Sequence, residues 1–398
     1  MLKRLSVSHY KSLESISVDF RKTNVIVGQN GAGKSNIIDA ISFFSDIVHE
    51  DLDSAVMKRH GIESIRQWSK FRPFDISLEL DFDTATGSGK YGFTLKSGKG
   101  GSYSVSEEHG EWHGSDPFQA DLPLVYSSFN RTKDGSVSFD LGVIIAEKKY
   151  DAKNIQISPF DLYLTSISNT TYTVEGIVFS KIKDELSNLI SYSIYPNTLR
   201  EPRVVSRDSR LLADGSNLPT VLRKMTGPHK NSRDSVVEAL STLLPHLNGI
   251  QVKSAGGYYV PVLEGIGGNG EQHQFNLSQV SDGTLRMLGL LTALYQPDRP
   301  NMIAVEEPEQ MIHPGALPIL AEAMAEFVSG RGAGQRQIFL PTHSPNLIDL
   351  FQPEDIIWTN SSNGVTQCGR VDDRQLDILR KRLFTTGELF LSEGFFYS

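Results

Sequence analysis

Gly28-Gln29-Asn30-Gly31-Ala32-Gly33-Lys34-Ser35 fits the phosphate-loop pattern G-x-x-x-x-G-K-[ST] at every fixed position. Its glycines let the backbone wrap close around a phosphate, so that several N–H groups converge on the oxygens. The positive end of the following helix adds to the attraction. In this pattern Lys34 reaches the β- and γ-phosphates of a nucleoside triphosphate and the Ser35 hydroxyl ligates Mg²⁺. Asn30, Gly31, Ala32, Gly33 and Asn36 complete the cradle. The flanks supply the required context. Asn24-Val25-Ile26-Val27 is a short apolar strand running into Gly28, and from Ser35 onward Ile37, Ile41, Phe44 and Val48 share one helix face.

Working outward, the next informative string is Met302-Ile303-Ala304-Val305-Glu306-Glu307-Pro308-Glu309. An apolar strand that ends in two acids offers one carboxylate to a metal shell and the next to a water beside the γ-phosphate. Gln337-Ile338-Phe339-Leu340-Pro341-Thr342-His343 is a further strand, delivering a histidine. Leu277-Ser278-Gln279-Val280-Ser281-Asp282-Gly283-Thr284 is a turn that opens a helix. The Ser281 hydroxyl and the N–H groups near Gly283 and Thr284 make a second anion site there.

Taken together, these strings resemble the Walker A, signature, Walker B and switch-histidine elements of the ABC-type ATPase superfamily. The subgroup is the one that includes RecF, the SMC proteins and the OLD (overcoming lysogenization defect) family, as AAA_21-type ATPases. The opening, Leu5-Ser6-Val7 to Phe20 and then Val25 to Asn36, is similar to the start of that group. The resemblance implies an α/β P-loop head with a mixed, mostly parallel central sheet, an antiparallel β subdomain and a helical insertion. It implies ATP and Mg²⁺ as cofactors and a head-to-tail dimer, in which Ser281, Gly283 and Thr284 of one subunit grip the γ-phosphate held by the other. Glu306 with Ser35 then stands on the metal side, Glu307 activates water, and His343 senses the γ-phosphate. Glu306 stands where most such heads carry Asp, so its carboxylate reaches one methylene further. Gln67 and the other glutamines lack the pattern that would mark the family's glutamine loop.

The remaining sequence bounds the answer. With 398 residues, 39% hydrophobic and 22% charged, the chain can bury a substantial core. No apolar run is long enough to span a membrane, and the single Cys368 excludes an internal disulfide, which suits a reducing cytoplasm. The expected division is residues 1–117 as the first half of the head, 118–276 as an insertion, and 277–398 as the second half. Residues 84–117 read as hairpin and loop, and residues 219–247 as two helices broken near Gly227-Pro228. Glu50-Asp51-Leu52-Asp53, Glu107-Glu108 and Asp372-Asp373 read as solvated acidic surface, so no nuclease centre is expected.

A net charge of −8 argues against coating nucleic acid with the whole surface, but it leaves room for a local basic patch. The strip Arg200, Arg203, Arg207 and Arg210 is open to two readings, a DNA-backbone contact or a salt-bridged surface segment. Absence of heptads disfavours a coiled-coil tether. Two roles stand: the ATPase subunit of a two-component anti-phage or anti-plasmid system that holds a separate effector, or a RecF-like repair factor that clamps DNA. The sequence predicts that Lys34→Ala removes most ATP binding, by deleting a charge-assisted phosphate contact. A fluorescent-nucleotide titration measures it, and an unchanged affinity contradicts the phosphate-loop assignment.

Overall fold

Strict alternation near the N-terminus becomes two paired strands, β1 (Leu2–Tyr10) and β2 (Leu13–Asp19), with Leu5 opposite Val18 and Val7 opposite Ile16. All four side chains are buried. The computed structural model describes residues 1–114, 125–142, 155–166, 181–267, 270–330, 335–392 and 395. It divides the described chain into two compact units. One comprises Met1–Asn24, Gly28–Leu189 and Ile357–Val371; the other comprises Val25–Val27, Ile190–Ile356 and Asp372–Ser398.

The first unit is built on an eight-stranded sheet in the order β2-β1-β4-β5-β6-β7-β8-β9, antiparallel throughout. Its further strands are β4 (Ile76–Asp83), β5 (Gly87–Ser97), β6 (Tyr103–Gly114), β7 (Val125–Arg131), β8 (Ser136–Gly142) and β9 (Ile155–Gln156). Helix α1 (Lys34–His49) buries Ile37, Ile41, Phe43, Phe44 and Ile47. Phe43 and Phe44 meet Phe93 edge-on at 6.1 and 5.4 Å, and Phe44 meets Tyr91 at 6.0 Å. These edge-to-face pairs fasten the helix to the sheet.

The stretch 84–117, expected as a hairpin and loop with short strand-like pieces, does hold a hairpin over its described residues, and its strands β5 and β6 are long. Its glycines make space instead of breaking the ladder. A Cβ on Gly110 would sit 2.3 Å from the Phe129 ring, so that ring occupies the place a side chain would take.

A correction concerns Glu107-Glu108. Glu107 is exposed, but Glu108 lies within β6 with 1% of its surface accessible. Its carboxylate accepts from the Tyr91 hydroxyl (3.0 Å) and from the backbone N–H groups of Tyr163 (2.6 Å) and Leu164 (3.0 Å). Arg131, also 1% accessible, donates nearby to the Val105 and Ser158 carbonyls. The sequence string looked solvated because its partners arrive 55 residues later.

The second unit holds the parallel element. Its strands run in the order β10-β15-β16-β3, where β3 is Thr23–Val27, β10 Leu189–Tyr192, β15 Met302–Val305 and β16 Gln337–Thr342. β15 and β16 pair in parallel, Met302 beside Gln337, and every residue of both is buried. Burial on both faces explains why they read as continuous apolar runs. The helix Asp282–Tyr295, nearly all buried, packs against the helix Leu317–Ser329. The segment expected as a helical insertion does contain the helices Leu218–Lys224 and Lys230–Ser241. It also contains a small antiparallel sheet: β11 (Arg203–Val204), β12 (Leu247–Ala255), β13 (Tyr258–Ile266) and β14 (Gln272–Asn276). The hairpin β17 (Ile356–Ser362) and β18 (Val365–Arg370) returns the chain to the first unit. Among the described residues no helix is long and apolar enough to cross a membrane.

Burial pushes the Glu108 carboxyl up from 4.5 to about 7, against the lowering effect of its backbone and tyrosine donors and of Arg131. Between those pH values the folded chain keeps a proton that the unfolded chain has released, so Glu108 makes stability fall as pH rises through that window. Glu108→Gln abolishes this pH dependence and turns an amide N–H toward the Tyr163 N–H. Urea midpoints should therefore show the variant less stable than the parent at pH 5, with the gap narrowing toward pH 8. A gap that is the same at both pH values refutes the assignment.

Candidate nucleotide site

The phosphate-loop residues fall in the first unit. The acidic pair, the signature turn and His343 fall in the second.

In the first unit, the loop between Val27 and Lys34 turns through Gly31 at φ +79° and Gly33 at φ +96°, left-handed values that favour glycine. Gly33 is doubly constrained, because a Cβ there would lie 2.0 Å from the Thr366 Oγ1 of β18. Thr366 is fixed in turn: its N–H donates to the Ser12 carbonyl (2.8 Å), and its hydroxyl lies 2.6 Å from that of Ser12. The Asn36 amide donates to the Ser12 hydroxyl at 2.7 Å, so Asn36 braces the β1–β2 turn. Lys34 is buried and its ammonium donates to the Gly28 and Gln29 carbonyls at 2.8 and 3.0 Å, folding it back over the loop. Asn30, Gly31 and Ser35 are exposed, and Ala32 is buried.

One turn along α1, Asp39 gathers the Lys11 ammonium (2.5 Å), the Arg59 guanidinium (2.9 Å) and the Tyr10 hydroxyl (2.7 Å). Burial alone would raise the Asp39 carboxyl, but Arg59, Lys11 and Tyr10 together hold it below its ordinary value.

In the second unit, β15 delivers Glu306 and Glu307 to its C-terminal end. Glu307 adopts φ +42°, a strained value for a non-glycine residue. Its N–H donates to the Pro341 carbonyl at 3.0 Å. The carbonyls of Glu306 and Glu307 accept from Arg286 at 3.0 and 2.9 Å, and the same guanidinium also donates to the Ile194 carbonyl. Burial pulls the Arg286 pKa down, opposed by Tyr195, Glu309 and Glu307. The Glu306 carboxylate accepts from the Ser193 hydroxyl at 3.4 Å. His343 Nδ1 stands 3.3 Å from the Glu307 carboxylate and 3.9 Å from that of Glu309. Glu309 accepts from the Thr342 hydroxyl (2.5 Å), while its other oxygen is buried with no hydrogen-bond partner among the described residues.

Ser281 caps the helix Asp282–Tyr295, accepting from the Thr284 N–H at 3.3 Å. A Cβ on Gly283 would fall 2.5 Å from the Met311 carbonyl, so the signature turn abuts the loop that follows the acidic pair. Beyond His343, Ser344 caps the helix Pro345–Ile348. Asp349 then accepts from the Gly387 N–H (2.6 Å) and the Thr385 hydroxyl (3.2 Å) at the start of the helix Thr386–Leu391. Near the C-terminus Phe390 and Phe395 are buried, whereas Phe384 is exposed. Phe396 and Tyr397 lie outside the described residues.

The second unit thus brings Glu306, Glu307 and His343 together and sets Ser281, Gly283 and Thr284 on the helix whose Arg286 fastens that pair. Arg286 and Glu309 were missed as functional residues. The available signal was one cation in the apolar helix sequence Leu285-Arg286-Met287-Leu288. In the second unit Glu306 offers only oxygen donors, the kind Mg²⁺ takes, and at the same acidic end one Glu309 oxygen is buried without a hydrogen-bond partner among the described residues. In the first unit Ser35 likewise offers an oxygen. Of the arginine strip, Arg200, Arg203 and Arg210 are engaged by Asp282, Glu201 and Asp298 at 2.5, 2.6 and 3.0 Å, which favours the salt-bridged reading.

Comparison with known proteins gives the family. Residues 23–349 match the AAA_21 family, described as "AAA domain, putative AbiEii toxin, Type IV TA system". The chain is similar to an ATP/GTP phosphatase of Helicobacter pylori, 19% identical over 361 residues that cover 88% of this chain and 87% of that protein. It is 48% identical over 46 residues to the DNA replication and repair protein RecF of Bacteroides thetaiotaomicron, covering 11% of this chain and only 12% of RecF. The fold is similar to an Smc head domain with an extended coiled coil, bound to the C-terminal domain of ScpA, from Pyrococcus furiosus. There the TM-score is 0.51 at 12% identity, over 96% of this chain and 99% of that one.

The geometry predicts that Arg286→Met, which keeps the bulk, strands three carbonyls and lowers the unfolding free energy by about 2–4 kcal/mol. Arg286→Lys keeps the charge but cannot span all three acceptors, and should fall between. Urea midpoints give the order; equal midpoints for all three proteins contradict the brace.

Proposed function

The chain belongs to the AAA_21 family, and from that premise we propose that it is a Mg²⁺-dependent ATPase head that hydrolyses ATP as a head-to-tail dimer. The observation that carries this reading is the strained Glu307, held with its carbonyl on Arg286 and its carboxylate beside His343. Strain of that kind is kept where function needs it. In the proposed mechanism Lys34 and the N–H groups of Gly31 to Ser35 hold the β- and γ-phosphates. Ser35 and Glu306 provide the oxygen ligands for Mg²⁺, which when bound neutralises charge on the phosphates. Glu307 accepts a proton from the attacking water, and His343 hydrogen-bonds the γ-phosphate.

The signature turn supports the dimer. Ser281 and Asp282 are exposed at the N-terminus of a 14-residue helix, where a γ-phosphate from a second copy meets N–H groups and a hydroxyl. For the biological role we favour control of a separate effector in defence against phage or plasmids. The family description, which names a toxin system, supports it. The local likeness to RecF supports a second reading, a DNA-clamping repair factor. Affinity purification of Glu307→Gln from its native host with ATP separates the two: a stoichiometric effector protein fits the first, recombination proteins the second.

Glu307→Gln is expected to bind ATP yet hydrolyse it at least ~100-fold more slowly, because an amide cannot take the water's proton. With Mg·ATP, light scattering should show that variant as a larger species than without nucleotide, and Ser281→Arg should prevent the change. Normal turnover by Glu307→Gln, or a mass indifferent to both nucleotide and Ser281→Arg, overturns this reading.

A further inference from the structure

Neither half-site uses the segment Arg66-Gln67-Trp68-Ser69-Lys70-Phe71-Arg72-Pro73 of the first unit, yet it carries the most exposed large apolar side chains described. Trp68 is 81% and Phe71 87% accessible. A single exposed ring needs no explanation, but two within four residues form a patch. The segment rests on a fixed base. The Gln67 N–H donates to the His9 carbonyl (2.8 Å) and the Lys11 N–H to the Ile65 carbonyl (2.6 Å). The Arg66 guanidinium donates to the Gly98 carbonyl (3.1 Å), and Phe74 stacks on His9 at 4.2 Å and 6°.

Charge identifies the ligand. From Arg66 to Pro73 there are three cations and no acid, in a chain of net charge −8. Arg66 is engaged by Glu63 at 3.2 Å. Lys70 and Arg72 have no carboxylate partner among the described residues, and the Lys70 ammonium lies 5.7 Å from the Phe71 ring. Three residue steps separate the rings by at most about 10 Å of backbone, within one short stretch of a polymer. Flat apolar faces interleaved with unspent cations match an anionic strand whose bases are unstacked. A duplex hides those faces. A protein interface of this kind would bury Lys70, and lysine is depleted from interface cores.

We propose that Trp68–Arg72 is a binding surface for single-stranded nucleic acid, with Trp68 and Phe71 stacking on bases and Lys70 and Arg72 contacting phosphates. It stands independently of ATP hydrolysis. The chain supplies its own reporter: of its three tryptophans, Trp112 is 2% accessible and Trp358 is half-buried, leaving Trp68 in water. The full chain, without nucleotide and at low salt, is titrated with oligo(dT) and with duplex DNA of equal length. Tryptophan emission and the anisotropy of a labelled oligonucleotide are read.

Oligo(dT) is expected to quench the emission. Trp68→Ala and Phe71→Ala should each weaken binding roughly five- to a hundredfold, whereas Trp68→Tyr, which keeps a stacking ring, should retain it. Lys70→Ala should reduce the slope of log affinity against log salt by about 0.7. The proposal is overturned if oligo(dT) does not bind, if binding ignores both alanine variants, or if duplex binds as well as single strand. It is equally overturned if Trp68→Ala converts a dimer to a monomer while oligonucleotide binding is unchanged, which would assign the rings to a second copy of the chain.

Discussion

Burying the Arg286 guanidinium costs several kcal/mol of lost hydration, and the chain offsets it with three backbone carbonyls from two separate segments. The Tyr195 ring, 5.8 Å away, adds a favourable face. One cation thereby ties the end of β15, the stretch after β10 and the helix Asp282–Tyr295 into a single piece. Ser281 heads that helix only five residues, or about 7.5 Å of helix rise, before Arg286. Whatever Ser281 holds is consequently in a fixed relation to Glu307. A neutral side chain of the same bulk could fill the space but could not align two adjacent carbonyls and a third from elsewhere.

The phosphate loop relies on the opposite device, close approach without charge. Gly33 is pressed to Thr366, Thr366 to Ser12, and Ser12 to Asn36, so hydroxyls and one amide set the loop's height over β18. Charge enters only along α1, where Asp39 collects Lys11, Arg59 and Tyr10. That cluster is half-buried, and its second cation, Arg59, is also held by Asp46 at 2.8 Å.

Much of this was legible in the sequence, for a physical reason. The phosphate loop, the acidic pair after Val305 and the turn before Thr284 are local: each is a pattern of residues adjacent in the chain, and each lies on the element its flanks predicted. The strand–loop–helix context of Gly28 to Ser35 was equally plain. What stayed hidden depends on distant partners. Glu108 looked solvated because its donors, the Tyr163 and Leu164 N–H groups, lie 55 and 56 residues on. Gly110 carried no strand signal because the Phe129 ring that fills its space belongs to another strand. Arg286 was missed because its three acceptors are carbonyls, which no side-chain pattern announces.

The order in which a ribosome makes the chain has a bearing on when these sites exist. The phosphate loop is made long before its seat, Thr366, which meets Ser12 across 354 residues. The latch from Gly387 to Asp349 closes the helix behind His343 after a further 38 residues. At ~5–20 residues per second, those 38 residues take about 2–8 s to make. Until Thr366 is made, a nascent chain has its glycine-rich loop without the wall that shapes it, and until Gly387 is made the helix behind His343 stays unlatched.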